Sequence, residues 1–319
     1  MSEQIAVGVD IGGTLVRVGA FDGEGQFLGQ KEAGMVSIGP DNGLSLIEQL
    51  IRETLDTVNA QSLLGIGIGC TGPLDTVRGL VNNPYTLAGW SNVPIVERLN
   101  GAFHVPVRLE NDADAAALGE YWQGAGRGAH RLYAVTVGTG VGTALILEGE
   151  IYRGVDGSHP EGGHQLIDPK GPECYCGYRG CWESLISGTA ISSMARNAEK
   201  NERLIELAGG DPNLIDARSV AEAARAGDPT AAAIMQKAAR DFSLGIVNVI
   251  SLFVPDVIVL SGGVMKSVNL FLPTLRQALK TPNPMVPFDR VQILPAQLGY
   301  YAGLYGGAYM ILSMRQDDQ

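Results

Sequence analysis

Ile5-Ala6-Val7-Gly8-Val9-Asp10, followed by Gly12-Gly13-Thr14, reads as a buried strand that breaks into a tight glycine turn. Val16, Val18 and Ala20 then alternate with Arg17 and Gly19, the two-residue period of a second, half-buried strand. Phe21-Asp22-Gly23-Glu24-Gly25 is turn chemistry, and Phe27-Leu28 opens a third strand. Together they form a β-meander hung on a glycine loop. The same grammar returns further on: a strand over 132–137, the turn Gly138-Thr139-Gly140-Val141-Gly142-Thr143, and a strand over 144–147. Two such openings predict two α/β lobes.

Between them, Leu46, Ile47, Leu50, Ile51, Leu55 and Val58 recur at helical spacing, with Ser45 and Glu48 as a capping-box pair. Residues 64–69 (L-G-I-G-I-G) form a strand unusually rich in glycine. Val105, Val107 and Leu109 alternate into Glu110-Asn111-Asp112, and residues 113–122 are helical. Helix is expected around 231–252 and over 302–314, and a strand over 257–260 runs into Ser261-Gly262-Gly263. The predicted organisation is a smaller lobe of residues 1–115 plus 302–319 and a larger lobe of residues 116–301. Residues 143–220 read as an insertion in the second lobe.

The 319 residues suit about two domains. Apolar residues make up 45% and charged residues 18%, which excludes intrinsic disorder. Lys+Arg 23 against Asp+Glu 34 gives −11, so the chain lacks the basic footprint of a nucleic-acid binder and suits an anionic membrane poorly. No apolar run approaches the roughly 18 residues of a membrane span. Met1-Ser2-Glu3-Gln4 carries no basic or apolar leader pattern, and a cytoplasmic protein is expected.

A strand ending in a glycine turn presents backbone N–H groups that an anion can approach closely, because no Cβ intervenes. Two such turns could hold a triphosphate, and Asp10 beside the first makes sense if Mg²⁺ accompanies it. The alternative is a pair of ordinary hairpin turns. Neither turn ends in the Gly-Lys-Ser/Thr of a Walker A loop, and neither is followed by the helix of a Rossmann fingerprint.

His164, Cys174, Cys176 and Cys181 form the second cluster. Three thiolates and an imidazole complete a closed, structural Cys₃His zinc site, with Gly177 and Gly180 supplying the turns. Free buried cysteines or a redox pair are the other readings. Cys70, far away in the chain, reads as a small buried hydrophobe. Asn111-Asp112 occupies a helix N-cap position, where capping alone would account for it. The same place, at the carboxyl end of a strand, is where open α/β sheets put ligand contacts. Glu161 and Glu183 flank the cysteine cluster, and with Asn111 and Asp112 they would suit a polyol. His104, His130 and His159 read as structural or surface residues.

These residues together resemble the ROK family of repressors and sugar kinases. The resemblance runs from Val7-Gly-Val-Asp-Ile-Gly-Gly-Thr14 to Ala302-Gly-Leu-Tyr-Gly-Gly-Ala308. Its most specific part is Glu161-Gly-Gly-His164 with Cys174-x-Cys176-Gly-x-x-Gly-Cys181-x-Glu183. It implies the actin-like, hexokinase-type (ribonuclease H-like) α/β fold of two lobes closing on ATP and a sugar, with a zinc-binding insertion at about 159–185. By position, Asp112 resembles the catalytic base. Asn83, Asn111, Glu161, His164 and Glu183 resemble sugar contacts, His164 serving both zinc and sugar. Asp10, Gly12, Gly13 and Thr14 resemble the first phosphate motif, Gly138, Thr139 and Gly140 the second, and Gly262 and Gly263 the adenosine motif.

The resemblance therefore implies an ATP- and Mg²⁺-dependent hexose kinase, a dimer or tetramer, with glucose the leading acceptor. N-acetylmannosamine, N-acetylglucosamine, fructose and mannose are the alternatives. A repressor of the same family would need a DNA-binding module, and six residues before Val7 are too few for one. Leu15 stands where many members carry Lys, a role Arg17 could take over. His159-Pro160, Trp182 and Asn82-Asn83-Pro84-Tyr85 also depart from the common pattern, and all are expected to bear on sugar choice.

Overall fold

The computed structural model describes residues 4–280 and 284–315. The acidic start at Met1-Ser2-Glu3 lies outside the described residues. The chain divides into two compact units, Met1–His130 with Ile146–Ile151 and Ala296–Gln319, and Arg131–Leu145 with Tyr152–Pro295. The sequence boundary at 115/116 falls inside a helix that the first unit keeps whole.

In the first unit the elements run β1 (Gln4–Ile11), β2 (Leu15–Asp22), β3 (Phe27–Gly34), α1 (Pro40–Thr57), β4 (Ser62–Cys70), β5 (Leu74–Asp75), β6 (Leu80–Val81), α2 (Ile95–Phe103), β7 (Val107–Asn111) and α3 (Asp112–Gln123). The sheet order is β3-β2-β1-β4-β7; β1, β2 and β3 form the antiparallel meander, and β1, β4 and β7 run parallel. Along β4 the two-residue period sorts the glycines from the isoleucines. Ile66, Ile68 and Cys70 enter a core with Val7, Val9, Ile47 and Ile51, on the side covered by α1. Gly65, Gly67 and Gly69 take the opposite face.

That face meets the last helix. In the second unit and the return to the first, the order is β8 (Arg131–Val137), β9 (Val141–Leu147), β10 (Glu150–Ile151), α4 (Trp182–Ile186), α5 (Gly188–Arg196), α6 (Glu202–Leu207), α7 (Ala217–Arg225), α8 (Pro229–Phe253), β11 (Val257–Ser261), α9 (Leu272–Leu279), β12 (Gln292–Pro295) and α10 (Ala302–Leu312). Helix α10 belongs to the first unit. A Cβ on Gly67 would lie 1.9 Å from the Gly307 carbonyl oxygen, and one on Gly8 2.0 Å from that of Leu304. On the other side, a Cβ on Gly306 would lie 1.7 Å from the Ala115 carbonyl oxygen of α3. The glycine-rich strand and the glycine-rich helix are thus two sides of one backbone-to-backbone contact.

The second sheet has the order β10-β9-β8-β11-β12, the same arrangement as the first, with β8, β11 and β12 parallel. Helix α1 differs from the sequence expectation. It starts at Pro40, with Gly39 as a cap that offers no side-chain hydrogen bond, so Ser45 and Glu48 lie inside the helix and form no capping box. Proline preset for the first helical turn moves the start upstream. The strand expected over 144–147 begins at Val141, so half of the predicted turn is already sheet. Among the described residues no helix is long and apolar enough to cross a membrane.

Candidate functional site

In the first unit, sheet register gathers the predicted residues at the carboxyl ends of three parallel strands. Asp10 pairs with Gly69, Ile11 with Cys70, and Cys70 with Asn111. Asn111 caps α3, its Oδ1 accepting the Ala113 N–H at 2.9 Å, and Asp112 Oδ1 accepts the same N–H at 2.8 Å. Capping is therefore one function of this pair, and it fixes Asp112 where the strand turns into the helix.

Asp10 accepts a hydrogen bond from Arg17 Nη1 at 2.9 Å. The two are cross-strand partners, and Arg17 also reaches Glu32 at 3.5 Å and lies 5.2 Å over the Tyr300 ring. Burial raises the Asp10 carboxyl above its ordinary range; Arg17 pulls it back down and the Asp112 charge adds to the rise. Arg17 is thus already engaged with Asp10. Burial also pushes the Cys70 thiol up, with Asp112 and Asp10 adding to it, so Cys70 is the buried neutral side chain expected. Asp10, Cys70 and Asp112 therefore lie within electrostatic reach of one another.

The Gly12-Gly13-Thr14 turn closes with Gly12 N–H donating to the Leu15 carbonyl at 2.9 Å, and Gly13 packs on the Thr86 carbonyl. Asn83 is fully buried. Its Nδ2 donates to the Thr71 carbonyl and Thr86 Oγ1, while its Oδ1 accepts from the Thr86 N–H. These bonds tie the 71–86 segment together.

In the second unit, Glu161, Gly162, Gly163 and His164 are strapped to β9. Thr143 Oγ1 accepts the Gly162 N–H at 2.9 Å and donates to the Pro160 carbonyl at 3.2 Å. A Cβ on Gly163 would lie 2.3 Å from the Val141 carbonyl oxygen, so only glycine lets this loop lie on the strand. Glu183 Oε2 accepts the Val141 N–H at 2.7 Å and sits against Gly140. The carboxylate predicted to meet a sugar is thus also bound to the second glycine turn. That turn closes with Gly138 N–H donating to Gly140, and its carbonyls receive the Gly188 N–H and Thr189 Oγ1 from the start of α5. One N–H of the turn, that of Gly138, is therefore spent inside it, and that of Val141 is spent on Glu183. Gly262, at φ +93° against the Val137 backbone, leads from β11 to Gly263.

His164, Cys174, Cys176 and Cys181 converge, with one ligand atom from each within 4.8 Å of the others. Cys174 Sγ is 3.5 Å from His164 Nδ1, and Cys176 Sγ is 3.5 Å from Cys181 Sγ. A tetrahedral zinc with S and N ligands has edges of about 3.5–3.8 Å, so the donor set and these two separations fit that ion. Gly180, at φ +71°, permits the loop because a Cβ there would strike the Asp168 carbonyl oxygen. Next to Cys181, Trp182 is fully buried, stacked on Phe242 and pressed against Gly245, with Nε1 donating to the Asp241 carbonyl at 3.1 Å. Trp182, expected to bear on sugar choice, is instead core that anchors the start of α4 to α8.

Two residues escaped the sequence reading. Thr143, which the sequence shows only as the end of the second glycine turn, straps the 161–164 loop. Tyr175 lies between two of the cysteines, and its hydroxyl is 3.1 Å from His164 Nε2. Loss of water around the phenol, then the Glu183 and Glu161 charges, push it up to about 12. The hydroxyl is thus tucked among acids although the residue as a whole is 83% exposed. The spacing of that loop was the available signal.

Comparison with protein-family models matches residues 6–314 to the ROK family. A glucokinase of Thermotoga maritima is 33% identical over 309 residues, covering 96% of each chain. Among solved structures, a ROK hexokinase from Thermus thermophilus has a TM-score of 0.82 at 32% identity, covering 99% of this chain and all of that one. A ROK family glucokinase from Streptomyces griseus, in complex with glucose and AMPPNP, has a TM-score of 0.75 at 32% identity, covering 96% and 98%.

Proposed function

This chain belongs to the ROK family and has its actin-like α/β fold, and on that premise we propose that it is an ATP-dependent hexose kinase acting on glucose. The observation that carries the reading is the near full-length likeness to a glucokinase holding glucose and AMPPNP. Phosphoryl transfer asks a protein mainly for positioning and charge stabilisation. Asp112 accepts the proton of the attacking sugar hydroxyl as that oxygen bonds the γ-phosphorus and the phosphorus–oxygen bond to the β-phosphate breaks, releasing ADP. Its place at the head of α3, capped by Asn111, holds the carboxylate still. Asn111, Glu161, His164 and Glu183 take the other sugar hydroxyls, and Asn83 shapes the segment around them. The backbones of Gly12-Gly13-Thr14 and Gly138-Thr139-Gly140 approach the phosphates, and Gly262-Gly263 the adenosine.

Two acids in electrostatic contact, Asp10 and Asp112, suit a neighbouring divalent cation. Asp10 would hold Mg²⁺ through water, and the bound ion offsets charge on the phosphate oxygens. His164 Nδ1, Cys174, Cys176 and Cys181 would hold Zn²⁺, whose contribution is to pin the loop bearing Glu161 and His164. A cytoplasmic dimer or tetramer without nucleic-acid partners completes the reading. It is tested by coupled ADP release over glucose, mannose, fructose, N-acetylglucosamine and N-acetylmannosamine. Glucose should give the highest kcat/KM; a higher value for another of these sugars overturns glucose as the acceptor, and no ADP release with any of them overturns the kinase reading.

A further inference from the structure

Tyr175 stands between two of the predicted metal ligands and is the most exposed large side chain of that loop. Its ring meets His164 edge-on, with centroids 5.1 Å apart at 83°. Exposure leaves the ring little packing to hold it, so its polar contacts decide where it lies. Those contacts form a directed chain. His164 turns Nδ1 toward Cys174 at 3.5 Å, the side on which a metal would sit. With Nδ1 as a ligand, Nε2 would carry the proton and donate to the phenol oxygen, which lies 3.1 Å away. The Glu183 carboxylate in turn favours the protonated, donating form of the phenol. Glu183 completes the chain by accepting the Val141 N–H beside the second glycine turn.

A group between His164 and Glu183 must therefore accept from an imidazole N–H and donate to a carboxylate. A phenol does both, and so does an alcohol of a hexose. We propose that the Tyr175 hydroxyl holds the place of a sugar hydroxyl between His164 and Glu183 and is displaced when sugar binds, so that Tyr175 sets sugar affinity as an internal competitor. This inference rests on the sugar-kinase reading above. Tyr175 touches no reacting atom in it, so it governs binding and leaves the chemical step alone. Its phenol also differs from a sugar alcohol in being tethered: the cysteines on either side fix its backbone, and only the side chain needs to swing out.

Exchanging one such hydrogen bond alters an equilibrium by about threefold to tenfold. The test is Tyr175→Phe, which keeps the ring and removes the competing hydroxyl. Glucose Kd is measured by calorimetry without nucleotide, KM and kcat by coupled ADP release, and zinc content by elemental analysis. The expected result is a glucose Kd and KM about threefold to tenfold lower, unchanged kcat and unchanged zinc. Tyr175→Ala, which also removes the ring, should lower Kd in the same direction. A Kd that stays the same in both variants, or rises, overturns the inference: Tyr175 would be a bystander or a contact that stays in place. If wild-type protein phosphorylates glucose while that happens, the kinase reading stands and only the inference falls. If the wild-type protein neither binds nor phosphorylates any hexose, both fall.

Discussion

In the first unit, Asp10 stands near the end of β1 and Asp112 directly after the end of β7, where the pairing of parallel strands fixes the backbone as far as Asn111 before any side chain is considered. In the second unit, Glu161 and Glu183 flank a segment with only two isolated bridges, Leu166 with Cys181 and Glu173 with Arg179. There the work of the sheet passes to Thr143, to glycines that let the loop lie on β9, and to four ligand atoms drawn together. A strand end is held by cooperative hydrogen bonds and a packed core, so a single ligand there adds little rigidity. A stapled loop depends on each staple, and its geometry should vanish with any one of them.

The sharpest way to separate positioning from chemistry is Asp112→Asn. The amide keeps the cap acceptor and the shape but cannot take a proton. We expect kcat to fall by about 10²–10⁴-fold, with glucose Kd within threefold of wild type. Near wild-type turnover would remove Asp112 from the catalytic role.

Gly67→Ala attacks the sheet itself. A Cβ 1.9 Å from the Gly307 carbonyl oxygen forces α10 away from β4. Overpacking at a backbone contact costs about 3 kcal/mol, read as a lower Tm or denaturant midpoint. A loss below 1 kcal/mol would mean that α10 is less tightly seated than the contact implies. Cys181→Ser, by contrast, should spare this core. If the proposed zinc site is right, it should abolish zinc binding and weaken glucose binding by about 10–100-fold, while the first unit's core keeps its amide-exchange protection. Equal loss of protection in both units would erase the distinction between sheet-held and loop-held residues.

Much of this contrast was legible in the chain. The strand–glycine turn–strand openings, the Asn111-Asp112 junction and the His-Cys cluster are local patterns, and local patterns survive translation into structure. The glycines of residues 64–69 were visible but unexplained, because their reason is a helix more than two hundred residues away in sequence. Thr143 was silent for the same cause: a threonine in a strand announces nothing until a distant loop donates to it. Trp182 stands out in the sequence as a departure from the family pattern, but a departure can serve packing alone, and here the ring fills the core against Phe242 while the neighbouring Glu183 turns to the glycine turn. Ser45 and Glu48 had the right spacing for a capping box, but Pro40 had already started the helix.

The smallest effect concerns what the strand-held site costs. Burial raises the Asp10 carboxyl despite Arg17, so the folded state favours the protonated form more than the unfolded chain does. For such a group, stability is fully present below the unfolded pKa and is lost as pH rises through the folded pKa. At neutral pH the ionised Asp10 therefore weakens the fold, and Asp10→Asn, which resembles the protonated form, should relieve that. We expect a Tm rise on the order of 2 °C at pH 7. The gap should close as pH falls through the folded pKa toward the unfolded value. Arg17 keeps Glu32 as a partner, so the variant does not leave a guanidinium stranded. Should the same variant instead be less stable at pH 7, the ion pair outweighs burial, and Asp10 is held by its partner rather than imposed on the sheet for the sake of a cation.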